Sequence, residues 1–431
     1  MVWTTYRERI KRLSTRIVEA QRPIRVLDAI KWEGGVFEQL QKTKFKELPL
    51  INVDFYAKMD LGFDAPKKKE ELTDIIADIK LTLGKEDPLT RLLTGIAAEY
   101  IDVIDLLLNR GTKKFWEYSK KLYGSPGDTF YGGEETVSKL GQLLYEILNG
   151  LDDSTLGPKY NEDIEAKEVV RRLNEKFKDY FDEDAVRAVL SDGIVADASA
   201  GGDTVKIREG SLFSKRDIRI LEVHEGWVHV GTTLNGNRQP VAKWLSKGPP
   251  RCAATQEGLA VIMEIFTFNS YPRRARAIND RILAISKAEE GANLLDIIEF
   301  YRTEGYDEKD SFHNAKRVFR GGVIEGGAPF TKDISYCRGF IENYNFLRAA
   351  IRAGKTEMIP FLFCGKIHVD DVPLLYQKHK EGIVEPPAYL PPQFRDLNGI
   401  AVWMSFSSFL NQVDLKKVQD HYDKLFRDHS D

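Results

Sequence analysis

Apolar residues recur every three or four positions through much of the first 155 residues, which is the pattern of helices that bury one face. The pattern is clearest in residues 4–21, 66–84 and 88–111, and the glycine that closes the last two segments is typical of a helix C-terminus. The sequence therefore predicts an N-terminal lobe made of helices.

A turn-rich stretch at residues 150–163 interrupts this pattern. Because a chain of 431 residues exceeds the size at which a single hydrophobic core keeps growing, we expect more than one lobe. The predicted organisation is an N-terminal helical lobe of residues 1–155 and a second domain of residues 156–431.

The second domain is predicted to mix helices with a few strands. After a helix near 162–181, the segments 192–199 and 203–210 alternate or run apolar with β-branched residues around Gly201-Gly202, which predicts an antiparallel hairpin. Four later segments have helical periodicity: 271–291, 293–305, 307–319 and 334–354. The predicted fold class is α+β, mainly helical, with a small antiparallel sheet.

Two more helices are predicted between residues 214 and 266. Ser214, with Asp217 three residues later, is a typical N-cap with an acidic partner in the first turn, and Asn235-Gly236 is the expected stop. After Pro249 and Pro250 break the chain, a largely buried helix is predicted from about Ala253.

Composition and charge exclude several classes of protein. Apolar residues make up 42% of the chain and charged residues 30%, which is ordinary for a globular protein, and the net charge of −3 argues against a nucleic-acid partner. No apolar run reaches the roughly 20 residues that span a bilayer, and the first residues lack a secretory signal pattern. We therefore expect no membrane partner. Because three scattered cysteines are too few for a disulfide framework, we also expect a cytoplasmic protein. The sequence does not indicate the oligomeric state.

Metal-ligand side chains are concentrated in these two helices. His224, Glu225 and His229 form an H-E-x-x-x-H string, and Glu257 follows 28 residues after His229. Two imidazoles and a carboxylate are typical protein ligands of a catalytic zinc, whose fourth position stays open to water. A His-Glu pair on a helix is also common at surfaces and in cores without a metal, so the string alone leaves both interpretations open.

The spacing of the two histidines predicts a distorted helix. In the familiar H-E-x-x-H string the histidines are four residues apart and share one face. Five residues apart, His224 and His229 would diverge by about 140° on a regular helix. One extra residue in a π-type turn restores the alignment, so we expect a wide turn between them, with Gly226 as the place where the backbone yields.

The segment T-Q-E-G-L-A around Glu257, together with the histidine string, resembles the QEGLA-motif proteins. Eukaryotic relatives of these proteins include the microtubule-associated tyrosine carboxypeptidases. Segments 200–207, 234–240 and 317–339 resemble further blocks of this family, so the likeness spans most of the chain. It implies a zincin-like metallopeptidase core with one zinc ion per chain, bound by His224, His229 and Glu257.

The implied reaction is peptide hydrolysis. Zinc bound here would lower the pKa of its water to about 7 and polarise the scissile carbonyl. Glu225, beside the first histidine, is the expected general base. The sequence thus predicts a zinc metallocarboxypeptidase that removes a C-terminal residue, aromatic by the resemblance, from a peptide or protein.

Two alternatives stay open at this point. An endopeptidase or amidase would have the same zinc core. A non-catalytic regulatory or binding protein could retain the fold, which would suit the bacterial relatives described as modulators of flavohaemoglobin expression.

A carboxypeptidase also needs groups that bind the free carboxylate of its substrate, for which an arginine, or a lysine with a hydroxyl donor, is suited. Arg320, Lys332 and Tyr336 lie in the last family block, and Lys332 and Tyr336 are four residues apart at the start of a predicted helix. The alternative is that Arg320 pairs with Glu325 or Asp333.

The main chain of the substrate needs a partner as well. In zinc peptidases generally, a strand edge beside the metal helix binds it through backbone hydrogen bonds. Residues 203–208 are the segment that we expect to form this edge.

Overall fold

The computed structural model describes residues 2–428 except 33, 153–154, 158–159, 184, 193, 195–196 and 411–413. In the described part of the chain, eight helices precede the first strand: α1 (Val2–Gln21), α2 (Val26–Ala29), α3 (Val36–Lys42), α4 (Val53–Ala57), α5 (Ala65–Leu83), α6 (Pro88–Leu108), α7 (Lys113–Tyr123) and α8 (Val137–Asn149). The helices predicted at 4–21, 66–84 and 88–111 are confirmed as α1, α5 and α6.

Local signals fix where these helices begin. The Asp64 side chain accepts a hydrogen bond from the backbone N–H of Lys67 at the start of α5, and Asp87 accepts one from Leu89 at the start of α6. A proline occupies the first turn of each helix, where its missing N–H is not needed. Propensity and capping therefore agree with the apolar pattern, which explains why sequence reasoning succeeded here.

Strands are confined to residues 164–213 of the described chain. They are β1 (Ile164–Glu165), β2 (Arg187–Ser191), β3 (Ala198–Gly201), β4 (Thr204–Arg208) and β5 (Leu212–Phe213), with α9 (Ala166–Lys178) between the first two. The predicted hairpin is confirmed for β3 and β4, which pair antiparallel, although residues 193 and 195–196 of its first segment lie outside the described residues.

The prediction of an antiparallel sheet was wrong in one respect. The strands of the larger sheet lie in the order β2-β4-β3, and β2 runs parallel to β4. The side chain of Asn174 in α9 both accepts from the backbone N–H of Ala188 and donates to its carbonyl, so the helix preceding β2 fixes the position of that strand. The smaller pair, β1 with β5, is antiparallel.

The remaining structure is helical. Three helices follow one another without a break, namely α10 (Lys215–Leu221), a π-helix (Glu222–Val230) and α11 (Gly231–Arg238). Then come α12 (Cys252–Phe266), α13 (Pro272–Glu289), α14 (Leu294–Thr303), α15 (Glu308–Phe319), α16 (Ser335–Arg352), α17 (Val372–Lys380), α18 (Pro392–Arg395), α19 (Asn398–Leu410) and α20 (Leu415–Asp428). Four short 3₁₀-helices connect them: Lys243–Ser246, Lys332–Ile334, Thr356–Phe363 and Val369–Asp371.

The expected helix stop at Asn235-Gly236 was wrong, because α11 continues to Arg238. Both residues are used for packing instead of termination. The buried Asn235 amide donates to the carbonyls of Phe363 and Tyr389, and a Cβ on Gly236 would lie 2.1 Å from the carbonyl oxygen of Leu245. Such contacts involve residues distant in sequence, which a local turn signal does not report.

Two glycines let α12 and α16 cross in direct backbone contact. A Cβ on Gly258 would lie 1.9 Å from the carbonyl carbon of Gly339, and a Cβ on Gly339 would lie 1.7 Å from the carbonyl oxygen of Ala254. Any larger side chain would force the helices apart. This crossing fixes α12, which carries Glu257, against the segment that carries Lys332 and Tyr336.

The largest hydrophobic core is continuous across the predicted boundary at residue 155. It contains buried residues of the first lobe, such as Ile10 and Leu93, together with Leu259 and Phe363. The division into domains of residues 1–155 and 156–431 stays a prediction. None of the helices in the described part of the chain has the length and apolar character needed to cross a membrane.

Candidate metal centre

The helix that carries the two histidines has the distortion that their spacing predicts. Ser214 and Asp217 form a reciprocal capping box at the start of α10, as expected. The helix then widens into the π-helix Glu222–Val230, which contains both His224 and His229. The predicted wide turn is confirmed.

Three side chains converge at this distortion. One ligand atom each of His224, His229 and Glu257 lies within 4.8 Å of the others. The Oε2 atom of Glu257 is 3.5 Å from Nε2 of His229 and 3.8 Å from Nε2 of His224. Two imidazole nitrogens and a carboxylate oxygen therefore face one small volume, although Glu257 comes from a different helix.

Protein donors among the described residues satisfy only one of the two oxygens of the Glu257 carboxylate. Its Oε1 atom accepts a hydrogen bond from Lys332 Nζ at 3.2 Å, but its buried Oε2 atom has no hydrogen-bond partner within the described structure. A buried carboxylate oxygen without a donor is costly. A divalent cation bound by Oε2 and the two imidazoles would remove this cost, and this donor set fits zinc.

A carboxylate behind His224 fixes the orientation of its ring. His224 Nδ1 lies 2.7 Å from Oε1 of Glu264, a fully buried residue that also forms two hydrogen bonds with Arg274 at 2.9 and 3.2 Å. Burial alone would raise the pKa of Glu264, but Arg274 and His224 outweigh it and hold the pKa at about 2. An ionised carboxylate beside Nδ1 favours the tautomer of His224 that has its proton on Nδ1, and in that tautomer Nε2 is the nitrogen that can bind a metal.

Sequence reasoning missed Glu264 and Arg274. Glu264 lies seven residues, about two helical turns, after Glu257 within an otherwise apolar stretch of α12. An acidic residue on the same helix face as a candidate ligand is a signal that could have identified it. Arg274 had no such signal, because it belongs to the next helix.

Glu225 occupies the π-helix beside the first histidine. Its Oε1 atom is 4.0 Å from Nε2 of His224, and its side chain is 13% exposed. It therefore lies next to the three converging side chains without being one of the three. This position suits a group that exchanges a proton with a metal-bound water.

Gly226 is required for packing. A Cβ at this position would lie 2.6 Å from Cε1 of Phe177 in α9. The π-helix spans nine residues, so the widening is not confined to Gly226.

Arg320, Lys332 and Tyr336 lie near the candidate centre but do not have equivalent roles. Lys332 contacts Glu257 directly, as described above. Tyr336 is buried, with the guanidinium group of Arg281 stacked 4.5 Å from its ring centroid. Arg320 lies at the end of α15, where its guanidinium group is 5.9 Å from the ring centroid of Phe330.

Arg320 forms no ion pair with Glu325 or Asp333 in the described structure, so the alternative pairing was wrong. Asp333 instead pairs with Arg317 through two hydrogen bonds of 2.6 and 3.0 Å. The Nε atom of Arg320 is buried and has no hydrogen-bond partner among the described residues. Burial and the neighbouring Arg317 lower the pKa of Arg320 to about 10. A buried cation of this kind would be stabilised by an anionic ligand.

The expected substrate-binding edge at residues 203–208 was wrong. These residues include β4, which is the central strand and is paired on both sides, by β2 and β3. The strand at the edge of this sheet that also packs against the π-helix is β3. Sequence order alone could not distinguish the edge strand from the central one, because β2 pairs with the side of β4 that faces away from β3.

The protein is mainly helical, and its candidate metal centre combines two histidines, a glutamate from another helix and an adjacent acid. This set of residues is typical of metal-dependent hydrolases. The family model for microtubule-associated tyrosine carboxypeptidase matches residues 38–412, and the chain belongs to this family. The family is one of carboxypeptidases, a class of hydrolase that acts on peptides or proteins.

Comparison with individual proteins adds little to this assignment. A crystal structure of a putative lipoprotein from Colwellia psychrerythraea is similar with a TM-score of 0.43 and 12% identity, over 76% of this chain and 65% of that chain. No curated protein matches the chain.

Proposed function

We propose that this protein is a zinc-dependent metallocarboxypeptidase in which His224, His229 and Glu257 bind one zinc ion and Glu225 is the general base. The observation that carries the proposal is the orphaned Oε2 atom of Glu257, which faces two imidazole nitrogens in a chain of the carboxypeptidase family. A zincin-like core, in which the ligand helix is widened by one residue, is part of the same proposal.

The protein residues divide the work of hydrolysis. Zinc, when bound, supplies a Lewis acid and an acidified water. Glu225 takes the proton of the attacking water and passes it to the leaving amine. Glu264 keeps His224 in the tautomer that offers Nε2, and Lys332 balances the charge of Glu257 through the oxygen that does not face the histidines.

The substrate is the C-terminus of a peptide or protein. We propose that Arg320 is the main partner of its carboxylate, because its buried Nε atom has no acceptor among the described residues. Lys332 Nζ has three protons and donates one to Glu257, so it can contribute a second hydrogen bond. Tyr336 borders the same region, and the free edge of β3 is the proposed partner of the substrate main chain.

The N-terminal lobe contributes Tyr123, which sequence reasoning did not identify. Its ring packs edge-on against Phe330 at 5.5 Å, on which Arg320 also stacks. Burial raises the pKa of Tyr123 to about 12, so the hydroxyl keeps its proton and can donate it to a carboxylate. The family description makes a C-terminal tyrosine the first substrate to test.

The decisive experiment compares Glu225→Gln with the wild-type protein. We expect both to contain about one zinc per chain by elemental analysis, and the variant to hydrolyse a peptide ending in tyrosine at least about a hundredfold more slowly. Glu222→Gln is the matched control, because Glu222 is a buried acid on the same π-helix that pairs with Lys176 and faces no proposed ligand.

Each outcome has a clear meaning. Full activity of Glu225→Gln would reject the assignment of the base. Zinc binding without hydrolysis of any peptide by the wild type would favour the non-catalytic regulatory alternative. A wild-type protein that binds no zinc would reject the metal centre itself.

A second experiment tests which bond is cut. If a buried charge loses its partner, amidation of the peptide C-terminus should cost about 2 to 5 kcal/mol of transition-state binding. In Arg320→Gln the rate on the free peptide should fall, and the difference between free and amidated peptides should shrink. Equal wild-type rates on both peptides would leave an endopeptidase or amidase.

A further inference from the structure

Lys366 lies in the connection between the 3₁₀-helices Thr356–Phe363 and Val369–Asp371, and its side chain reaches the candidate metal centre. Its Nζ atom donates to the backbone carbonyl of His229 at 2.8 Å, to Oγ1 of Thr232 at 3.0 Å and to Oε1 of Gln256 at 2.8 Å. An ammonium group has three protons. All three are therefore used within the protein, so Lys366 has none left for a substrate.

These three acceptors connect the two elements that carry the proposed ligands. His229 and Thr232 belong to the π-helix and the start of α11, whereas Gln256 immediately precedes Glu257 in α12. Thr232 Oγ1 also donates to Gln256 Oε1 at 2.9 Å. The lysine thus ties the backbone of one proposed ligand to the neighbour of another.

The backbone carbonyl of His229 accepts hydrogen bonds from two side chains. Besides Lys366, the hydroxyl of Thr233 donates to it at 2.8 Å. These two side-chain donors hold the backbone of His229 in place, and they therefore restrict the positions that its imidazole ring can occupy.

The position of Lys366 is itself fixed by the surrounding backbone. Its N–H donates to the carbonyl of Leu245 at 2.8 Å. Both Gly236 of α11 and Gly365 pack against Leu245, where a Cβ would lie 2.1 and 2.6 Å, respectively, from its carbonyl oxygen. The lysine therefore projects from a segment that is held directly against α11.

We propose that Lys366 is a positioning residue, which sets the separation of the π-helix from α12 and thereby the geometry of the metal centre. This inference rests on the proposed metal-binding function of that centre. No neutral side chain could donate three hydrogen bonds in this direction, and the three acceptors lie on the two elements that carry the proposed ligands. In the described structure none of its three acceptors is a carboxylate.

The test uses Co²⁺ as a spectroscopic probe in the purified full-length protein. Lys366→Met keeps the length of the side chain but removes its donors. We expect it to bind Co²⁺ about 10- to 100-fold more weakly than the wild type, with an altered visible absorption spectrum. Lys366→Arg, which keeps the charge and several donors, should recover part of both the affinity and the spectrum.

The matched control is Lys378→Met. Lys378 is buried, and its Nζ atom pairs with Glu381, the residue that follows α17. Neither residue is close in sequence to the proposed ligands. This variant should lose stability without a change in the Co²⁺ spectrum. If Lys366→Met does not fold, Gln256→Leu, which removes one acceptor on α12, should show the same loss of affinity and the same spectral change.

An unchanged spectrum and affinity in Lys366→Met, or in Gln256→Leu where the first variant does not fold, would overturn the inference. A wild-type protein that binds no Co²⁺ and no Zn²⁺ would instead overturn the proposed function. The two failures are therefore distinguishable.

Discussion

Substitutions in the ion pair of Glu264 and Arg274 should change the free energy of unfolding and the predicted metal affinity independently of each other. Glu264 is fully buried and Arg274 is 27% exposed, and they form two hydrogen bonds in addition to the contact of Glu264 with His224. In Glu264→Gln the arginine loses its counter-charge. Removal of one partner from a buried pair costs about 3 to 5 kcal/mol, which is a large part of a typical stability of about 5 to 15 kcal/mol.

The double variant Glu264→Gln/Arg274→Met distinguishes charge burial from the role toward His224. With both charges removed, the free energy of unfolding should return to within about 2 kcal/mol of the wild type, because paired charges and apolar replacements are often nearly equivalent. Metal affinity should not recover. It should stay about 10- to 100-fold weaker in both variants, because a glutamine cannot hold the histidine as firmly as an ionised carboxylate.

The measurements are urea unfolding of the metal-free protein, with chelator present, and competition for Zn²⁺ against an indicator of known affinity. Two results would refute the reasoning. One is a loss of less than about 1 kcal/mol in Glu264→Gln, which would mean that the arginine finds other partners. The other is full recovery of zinc affinity in the double variant, which would mean that Glu264 acts only through the charge of Arg274.

Three further predictions concern packing, pH and the wide turn. Gly258→Ala should destabilise the protein by at least about 3 kcal/mol in urea unfolding, because its Cβ would lie 1.9 Å from the backbone of Gly339. The control Gly95→Ala in α6, where nothing lies within 4 Å of the new Cβ, should stabilise the protein by about 0.5 to 1 kcal/mol. Equal effects of the two substitutions would show that the helix crossing can relax. Burial raises the pKa of Glu99 to about 7, above its value of about 4.3 in the unfolded chain. Between these two pH values the folded state keeps a proton that the unfolded chain has lost, so the free energy of unfolding should fall as the pH rises from about 4.3 to about 7. Glu99→Gln should remove that fall, and its melting temperature should exceed the wild-type value at pH 8 but not at pH 4; a parallel pH profile would contradict the assignment to Glu99. Deletion of Gly226 would create H-E-x-x-H, yet it should abolish zinc binding, because the remaining side chains are arranged around the longer spacing; retained binding in a zinc titration would contradict this.

Much of the local structure could be predicted from the sequence. The helices α1, α5, α6 and α12 follow from apolar periodicity and from capping residues that are adjacent in sequence, and the start of α10 follows from the reciprocal cap of Ser214 and Asp217. The wide turn was also predictable, because two histidines five residues apart cannot face one point on a regular helix. These inferences depend only on neighbours in the chain and on helix geometry.

The candidate site was predictable in its residues but not in its arrangement. The H-E-x-x-x-H string and the Q-E-G-L-A segment identified His224, His229 and Glu257, and the structure brings them together. The roles of Lys332 and Arg320 could not be separated from sequence. Tertiary packing brings Lys332 to Glu257, and it leaves the Nε atom of Arg320 without a hydrogen-bond partner among the described residues. Glu325 and Asp333 were equally plausible partners for Arg320 until Arg317 was found to pair with Asp333.

Tertiary structure alone determined the connections between elements. The parallel pairing of β2 places β4 in the centre of the sheet, so the free edge beside the π-helix belongs to β3. Gly236 lies within a helix and packs against Leu245, and Lys366 contacts the backbone of His229, which lies 137 residues earlier in the chain, at the candidate metal centre. In each case the deciding contact joins residues that are far apart in the chain. Such residues meet only when several helices and strands bury their apolar faces against one another. Periodicity and capping indicate only which face a single helix or strand will bury.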